Sequence, residues 1–202
     1  MISIYQLKPK FQALLRPLTK VLFRLGMTAN MVTLFAMFAS IALGIFLYIF
    51  STITIYYLSL PFFLFFRMAL NAIDGMLARE FHQKSHLGGI YNEIGDIISD
   101  SFLFFAFFPL GFSPLLLFSI VILAATSEVI GILGAVEGTE RRYDGPMGKS
   151  DRAFVLSCVG ILHAFQIFSV SHLQYIFILM LFLLFYTCYN RIRAILKSGG
   201  KK

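Results

Sequence analysis

The chain alternates long apolar stretches with short polar links over most of its length. Six apolar stretches follow a basic N-terminal segment, at residues 31–50, 53–73, 90–110, 114–136, 153–171 and 173–190. An α-helix needs about 20 apolar residues to cross a hydrocarbon core of about 30 Å. The pattern therefore predicts an all-α membrane protein with six transmembrane helices.

The segment before the first apolar stretch has a different pattern. Apolar and basic residues alternate there at helical spacing, the apolar ones being Leu7, Phe11, Leu14, Leu18, Leu22 and Leu25 and the basic ones Lys8, Lys10, Arg16, Lys20 and Arg24. Such a helix is typical of a membrane surface, and Pro17 is a candidate position for a bend. The sequence thus divides into a juxtamembrane amphipathic helix at residues 1–27 and a membrane domain at residues 28–202.

The links between the apolar stretches fall into two classes. Those near Ser51, from Gly111 to Pro114 and from Ser169 to His172 contain no Lys, Arg, Asp or Glu, whereas the other two links are crowded with charge, including Lys and Arg, and both ends of the chain are basic. Since Lys and Arg accumulate on the cytoplasmic side of membrane proteins, six spans predict that both termini are cytoplasmic.

Composition supports a membrane location and excludes several classes of function. Of the 202 residues, 58% are hydrophobic and only 13% are charged, which is unlike a soluble domain. The net charge of +7 comes from basic residues spread along one membrane face, without aromatic platforms beside them. We therefore expect membrane lipids and a phosphorylated substrate as partners, and no nucleic acid. Cys158 and Cys188 lie within apolar runs and are expected to be inert thiols, and no removable signal peptide is expected.

Polar stripes interrupt the second and third apolar stretches. Asn71 and Asp74 are three residues apart, and Asn92, Asp96 and Asp100 are four apart, so that each set shares one helix face. Ionisable residues within a membrane span are costly and are usually functional. A short loop joins the two helices, which predicts that the stripes face each other. Oxygen ligands without Cys or His favour Mg²⁺ or Mn²⁺, ions that bind phosphates.

These two stripes resemble the signature of the CDP-alcohol phosphatidyltransferase family, D-x-x-D-G-x-x-A-R, eight residues, then G-x-x-x-D-x-x-x-D. Six positions match it, namely Asp74, Gly75, Ala78, Arg79, Gly88 and Asp96, while Asn71 and Asn92 stand where the family has aspartate. A family element Pro-Asn-x-x-Thr is similar to the segment containing Asn30 and Thr33, although the proline is replaced by Ala29. The resemblance implies six transmembrane helices, a juxtamembrane helix and a homodimer, here in a bacterial inner membrane with a cytoplasmic active site.

The resemblance also implies a reaction and a set of roles. A phosphatidyl group would pass from CDP-diacylglycerol to an alcohol acceptor, with release of CMP. Asp74 and Asp96 would be catalytic, and the metal ligands would be Asn71, Asp74, Asn92 and Asp96. The donor would contact Asn30, Thr33, Gly75, Ala78, Arg79 and Gly88. Glu93 and Asp100 could supply the charge that the two asparagines lack. A phosphorylated acceptor, such as glycerol 3-phosphate, would contact Arg141, Lys149 and Arg152.

Several alternatives stay open at this point. Arg67 and Glu128 lie within predicted spans, where a structural role is as good an interpretation as a functional one. His82 and His86 have no evident third ligand and are expected to be solvated. The chain could also be a catalytically silent relative that binds CDP-lipid, or a transferase that uses a small CDP-alcohol and diacylglycerol. A transporter is disfavoured, because its acids should lie near the membrane centre.

Overall fold

The computed structural model describes residues 4–199, and the side chains of residues 10–198. Within that range the protein is all-helical, with seven α-helices: α1 Ile4–Arg24, α2 Ala29–Ile49, α3 Ser59–Glu80, α4 His86–Phe105, α5 Pro114–Val136, α6 Lys149–Ala164 and α7 Val170–Gly199. Two 3₁₀ turns, Thr54–Leu58 and Phe108–Leu110, precede α3 and α5. The predicted all-α class is therefore confirmed.

Four helical stretches of the described chain are long and apolar enough to cross a membrane: Ala29–Ile49, Thr54–Glu80, Pro114–Val136 and Val170–Ser198. The two other predicted spans correspond to α4 and α6. Helix α4 carries three acids, Glu93, Asp96 and Asp100, and α6 has only 16 residues. Length and composition therefore support four of the six predicted spans, and the remaining two stay a prediction.

Helix α6 departs most from its predicted stretch at residues 153–171. It begins at Lys149, four residues earlier, because the Asp151 carboxylate accepts a hydrogen bond of 2.9 Å from the Gly148 amide at the helix start. It ends at Ala164, where Gln166 adopts a left-handed backbone with φ of 52°. The amides of Gln166 and Ile167 then bond back to the His163 and Leu162 carbonyls and terminate the helix.

The described chain divides into two compact units. The first comprises the chain up to Ile41 and residues Phe65–Ser99. Its core joins one face of α2 to one face of α3, with α1 packed against it; the buried members are Ala29, Val32, Ala36, Leu70, Ile73, Met76 and Leu77. A bidentate ion pair at 2.9–3.0 Å between Arg16 and Glu80 also ties α1 to the end of α3.

The N-terminal segment forms a helix, α1, and its apolar residues face in two directions. Leu15 and Leu22 pack on the core of the first unit, whereas Leu14, Leu18 and Leu25 are exposed. Leu7 and Lys8 lie outside the described side chains. Leu14 and Leu18 on α1, and Leu25 directly after it, are exposed beside basic residues, which is compatible with contact to a membrane surface, and this placement stays a prediction.

The second unit comprises Ala42–Leu64 and the chain from Asp100 onward. Its core is apolar and rich in Phe and Leu, and the 3₁₀ turn at Thr54–Leu58 packs against α6. Tyr57 is fully buried there: its hydroxyl donates to the Ala106 carbonyl, and its ring lies edge-on to His163 at 4.8 Å. Gly160 allows this approach, because a Cβ at that position would lie 2.9 Å from the Tyr57 carbonyl oxygen.

Gly44 permits another close contact in this unit, between α2 and the Phe102 backbone of α4. A Cβ at Gly44 would collide with the Phe102 carbonyl oxygen, which belongs to the main chain and cannot move aside cheaply. Small residues at helix contacts commonly serve this purpose in membranes. We expect Gly44→Ala to lower the free energy of unfolding by about 1–3 kcal/mol, measured by denaturant titration in neutral detergent.

Gly89→Ala is the matched control for that measurement. Gly89 also lies in a helix, but a Cβ there would meet no atom within 4 Å. Its replacement should leave stability unchanged or raise it by up to about 1 kcal/mol through helix propensity. Equal effects of the two substitutions would contradict the packing role of Gly44.

Candidate active site

Asp74 lies on α3 in the first unit and is almost completely buried, with 6% of its surface exposed. The Thr33 hydroxyl on α2 donates to its Oδ2 atom at 2.8 Å. Thr33 itself is buried and lies one turn after Ala29. The structure therefore brings together two residues that the sequence analysis assigned to one site from separate segments.

Asp96 lies on α4, with about one eighth of its side chain exposed. The Arg67 guanidinium of α3 lies 3.4 Å from its Oδ1 atom, and Arg67 is only 3% exposed. A buried guanidinium beside a carboxylate fixes the orientation of that carboxylate and offsets its charge. Arg67 is thus a member of this site, whereas sequence reasoning left its role open.

A signal for Arg67 is present in the sequence. Arg67 precedes Asn71 by four residues and Asp74 by seven, which places all three on the same face of α3. The polar stripe on α3 therefore begins with a cation at residue 67, one turn before the first residue of the signature. This extension is what connects α3 to Asp96.

Two glycines of the signature make room for polar side chains. A Cβ at Gly88 would lie 2.6 Å from the Asn30 Oδ1 atom, so Asn30 and Gly88 are in contact at the start of α4. A Cβ at Gly75 would lie 3.1 Å from a terminal nitrogen of Arg79, whose guanidinium folds back over the glycine. Ala78, which lies between Gly75 and Gly88 in sequence, is half-buried against the core of the first unit.

The remaining predicted ligands, Asn71 and Asn92, are half-buried, as is Glu93. All four predicted metal ligands and Glu93 belong to the first unit. Within the described residues, no three His, Cys, Asp or Glu side chains form a cluster suited to a metal ion. The candidate set therefore consists of two carboxylates and two neutral amides, whose oxygen atoms suit Mg²⁺ or Mn²⁺ but supply less charge than four aspartates.

A second group of charged side chains lies in the second unit. Arg152 is 1% exposed; its Nε donates to Asp100 at 2.9 Å and its Nη2 donates to Glu128 at 3.0 Å. Arg141 also donates to Glu128 at 3.0 Å, and Arg191 lies 3.5 Å from the same carboxylate. We call these five residues the buried ion cluster. It joins α4, α5, α6, α7 and the loop between α5 and α6.

The buried ion cluster bears on two predicted roles. The Asp100 carboxylate, predicted to compensate for Asn71 and Asn92, is bound by Arg152. The Arg152 side chain, predicted to bind the acceptor, already makes bonds to Asp100, Glu128 and the Met147 carbonyl. Arg141 keeps about a quarter of its side chain exposed, and Lys149 is half-buried at the first position of α6. These two are the more accessible candidates for acceptor contacts.

The fold and the candidate site together define the class of protein. Its apolar helices are those of an integral membrane protein, and a buried acid, Asp74, lies within a long gapped signature that runs from α3 into α4. Residues 26–193 match the family model for CDP-alcohol phosphatidyltransferases. The chain belongs to this family of transferases of phospholipid biosynthesis, as its signature predicts.

Individual relatives agree with this assignment. The chain is 40% identical to the inner membrane protein YnbA of Escherichia coli (strain K12), over 99% of this chain and 100% of the relative. Two crystal structures of phosphatidylinositol phosphate synthase (PgsA1) from Mycobacterium tuberculosis share the fold, each with a TM-score of 0.70 over 89% of this chain. One, with CDP-DAG bound, is 20% identical and covered over 92% of its length. The other, with manganese and citrate, is 19% identical and covered over 87%.

Proposed function

We propose that the protein transfers a phosphatidyl group from CDP-diacylglycerol to an alcohol acceptor and releases CMP. The observation that supports this most directly is a pair of acids within the region that matches the family: buried Asp74, held by Thr33, and partly exposed Asp96, held by Arg67. The CDP-DAG bound to a PgsA1 of the same fold is a further argument for this donor.

In the proposed reaction, the acceptor hydroxyl oxygen attacks the phosphorus that carries the diacylglycerol. The bond from that phosphorus to the oxygen shared with CMP breaks, and CMP leaves with that oxygen. Asp96 accepts the proton of the hydroxyl, with Arg67 keeping its carboxylate in place. Such displacements depend mainly on the positioning of the two reactants and on charge neutralisation.

The donor side of the site would be formed by the remaining signature residues. The Arg79 guanidinium, folded over Gly75, offers several N–H donors to a pyrophosphate. Ala78 and Gly88 keep the surroundings small, and Asn30 next to Gly88 supplies a polar amide. Thr33 would orient Asp74 in addition to contacting the nucleotide, because its hydroxyl donates a hydrogen bond to that carboxylate.

A divalent cation, Mg²⁺ or Mn²⁺, would be held by Asn71, Asp74, Asn92 and Asp96. Their oxygen donors fit such an ion, and the manganese in a PgsA1 structure is consistent with this. When bound, the ion would neutralise charge on the pyrophosphate. Because two of the four side chains are neutral, the site would hold one ion firmly and a second one weakly.

This charge deficit predicts the effect of restoring both acids. Asn71→Asp with Asn92→Asp should tighten Mg²⁺ or Mn²⁺ binding, because two negative charges are added to the ligand set. Titration calorimetry of each ion against the purified protein measures this without reference to activity. Asn190→Asp is the matched control, since Asn190 lies on α7 in the second unit. Unchanged binding in the double variant would exclude these positions as ligands.

We further propose that the acceptor contacts Arg141 and Lys149, with Arg152 supporting them from the buried ion cluster. An acceptor that carries a phosphate, such as glycerol 3-phosphate, fits this basic loop best. Following the family, the enzyme would act as a homodimer in a bacterial inner membrane.

The proposed topology has six spans, with α4 and α6 crossing in addition to the four apolar helical stretches. Both termini and the active site would then be cytoplasmic, because the links that contain Lys and Arg lie on that side. Reporter fusions after residues 52, 112 and 168 should all report the outer side, and a fusion after residue 83 should report the cytoplasm. A cytoplasmic signal from any of the first three would contradict this topology.

The test of the proposed function is release of CMP by the purified protein. The enzyme in detergent is incubated with CDP-diacylglycerol, Mg²⁺ or Mn²⁺ and a panel of alcohols, and lipid products are identified by mass spectrometry. A new phosphatidyl lipid that appears together with CMP supports the proposal. Activity only with a small CDP-alcohol and diacylglycerol would reverse the donor assignment. CDP-diacylglycerol binding without transfer to any acceptor would indicate a silent relative.

A further inference from the structure

A basic groove lies in the second unit, beside the C-terminal half of α7. Its volume is about 430 Å³, which falls in the usual size range of ligand sites. It is lined by Arg142, Asp144, Asn190, Arg193, Ala194 and Lys197. None of these residues belongs to the proposed catalytic, metal or acceptor sets, so the proposed reaction does not account for the groove.

Arg142 is held rigidly at one wall of this groove. Its Nη2 donates to the Ala194 carbonyl at 2.8 Å and to the Ser198 hydroxyl at 3.0 Å. Its backbone amide donates to the Gly131 carbonyl of α5 at 3.0 Å. A Cβ at Gly134 would lie 2.7 Å from the Arg142 Cγ, so the loop enters a space that only glycine leaves open. A guanidinium fixed in this way is preorganised for a ligand.

The charges of the groove favour an anion. Three cationic side chains line it, against the single carboxylate of Asp144, which is about half exposed. Asp144 lies 3.6 Å from the Arg142 Nε, too far for a hydrogen bond, and this buried Nε has no hydrogen-bond partner within the described chain. The groove and its wall therefore hold more donors than acceptors, which favours a ligand rich in acceptor oxygens, such as a phosphate.

The position of the groove along α7 indicates the source of that anion. The helix is apolar from Tyr175 to a pair of exposed, stacked tyrosines, Tyr186 and Tyr189, with ring centroids 6.4 Å apart. Tyrosines concentrate at the boundary between lipid and water, and Arg193 and Lys197 follow within the next two turns. Exposed Leu196 continues the apolar surface beside them. A lipid held by its tail against this surface would place its headgroup at the cations.

We propose that this groove binds the phosphate of an anionic membrane lipid, independently of the substrates of the transfer reaction. Arg142 and Arg193 would donate to the phosphate oxygens, Lys197 would add a second point charge, and the Asn190 amide would contact the rest of the headgroup. The acyl chains would lie along the apolar part of α7.

The full chain in a neutral detergent, stripped of co-purified lipid, tests the proposal by native mass spectrometry. After either lipid is added back, phosphatidylglycerol should bind as one molecule per chain, whereas phosphatidylcholine with the same acyl chains should not bind. Arg193→Gln with Lys197→Gln should weaken phosphatidylglycerol binding roughly thirtyfold, given the usual contribution of a basic residue near anionic lipid. Asp144→Asn should strengthen it by about fivefold, a gain that damage to the fold would not produce.

Arg24→Gln with Lys84→Gln is the control, because it removes the same charge from exposed positions outside the groove. This variant should keep its affinity within about twofold, since neither residue lines the groove. An equal loss in the control, or equal binding of phosphatidylcholine, would overturn the proposal. Displacement of the lipid by millimolar inorganic phosphate would also overturn it, by identifying the groove as a site for a soluble anion.

Discussion

Asp96→Asn is expected to lower the rate of CMP release by roughly 10²–10⁴-fold, the usual contribution of a positioned proton acceptor. The substitution keeps the shape of the side chain and a carbonyl oxygen that can still accept a hydrogen bond from Arg67. It removes the basic oxygen that would take the acceptor proton. Asp96 is also a proposed metal ligand, so the rate is measured at saturating Mg²⁺ to separate the two roles. The loss should persist there and should appear in kcat with saturating acceptor.

Glu140→Gln is the control for that substitution, as it removes one acid at an exposed loop position. The control should retain full activity, and both variants should have the unfolding midpoint of the unmodified protein to within a few degrees. Full activity of Asp96→Asn would exclude Asp96 as the proton acceptor. A variant that regains activity at high metal concentration would restrict Asp96 to metal binding.

Arg152→Met is expected to lower the free energy of unfolding by about 3–5 kcal/mol, the usual cost of removing one partner from a buried ion pair. The substitution removes the ion pair between Arg152 and Asp100, whereas Glu128 keeps Arg141 and Arg191. Denaturant unfolding of the purified protein in neutral detergent measures the loss.

A double substitution separates lost charge pairing from general damage. Arg152→Met with Asp100→Leu removes both partners and fills the space with apolar side chains, so stability should recover by at least about 1 kcal/mol. Arg193→Met, which removes an exposed cation of the same unit, should change stability by less than about 0.5 kcal/mol. If the double variant is no more stable than Arg152→Met, the pair is not coupled as the distances indicate.

The helices were largely predictable from sequence, because a run of apolar residues has one stable solution in lipid. The residues at which the helices end were harder to predict. Glycine at residue 26 takes the left-handed conformation after α1, and Gly138 does so after α5, which is the commonest way for a helix to end. Gln166 performs the same role after α6 without being glycine, and apolar residues continue beyond it. Hydrophobicity alone therefore extended that span too far.

The candidate site was predictable to the extent that its residues share a helix face. Asn71 with Asp74, and Asn92 with Asp96, follow directly from spacings of three and four. The contacts of Thr33 with Asp74 and of Arg67 with Asp96 join different helices, and spacing within one helix carries no information about its neighbours. The same reason hid the pairing of Arg152 with Asp100, so that a residue assigned to substrate binding is also part of an internal ion network.

The packing of the 3₁₀ turn at Thr54–Leu58 on α6 has a consequence for biogenesis. Tyr57 and its partner His163 are separated by a long stretch of chain, and the core they share cannot form until α6 has been made. At the usual speed of translation, roughly 5–20 residues per second, the turn waits on the order of ten seconds beside the translocation machinery. During that interval the Tyr57 hydroxyl has acceptors in the Leu47 and Ala106 carbonyls, but the surface of the turn that packs on α6 stays uncovered, so this packing marks a late step of co-translational assembly.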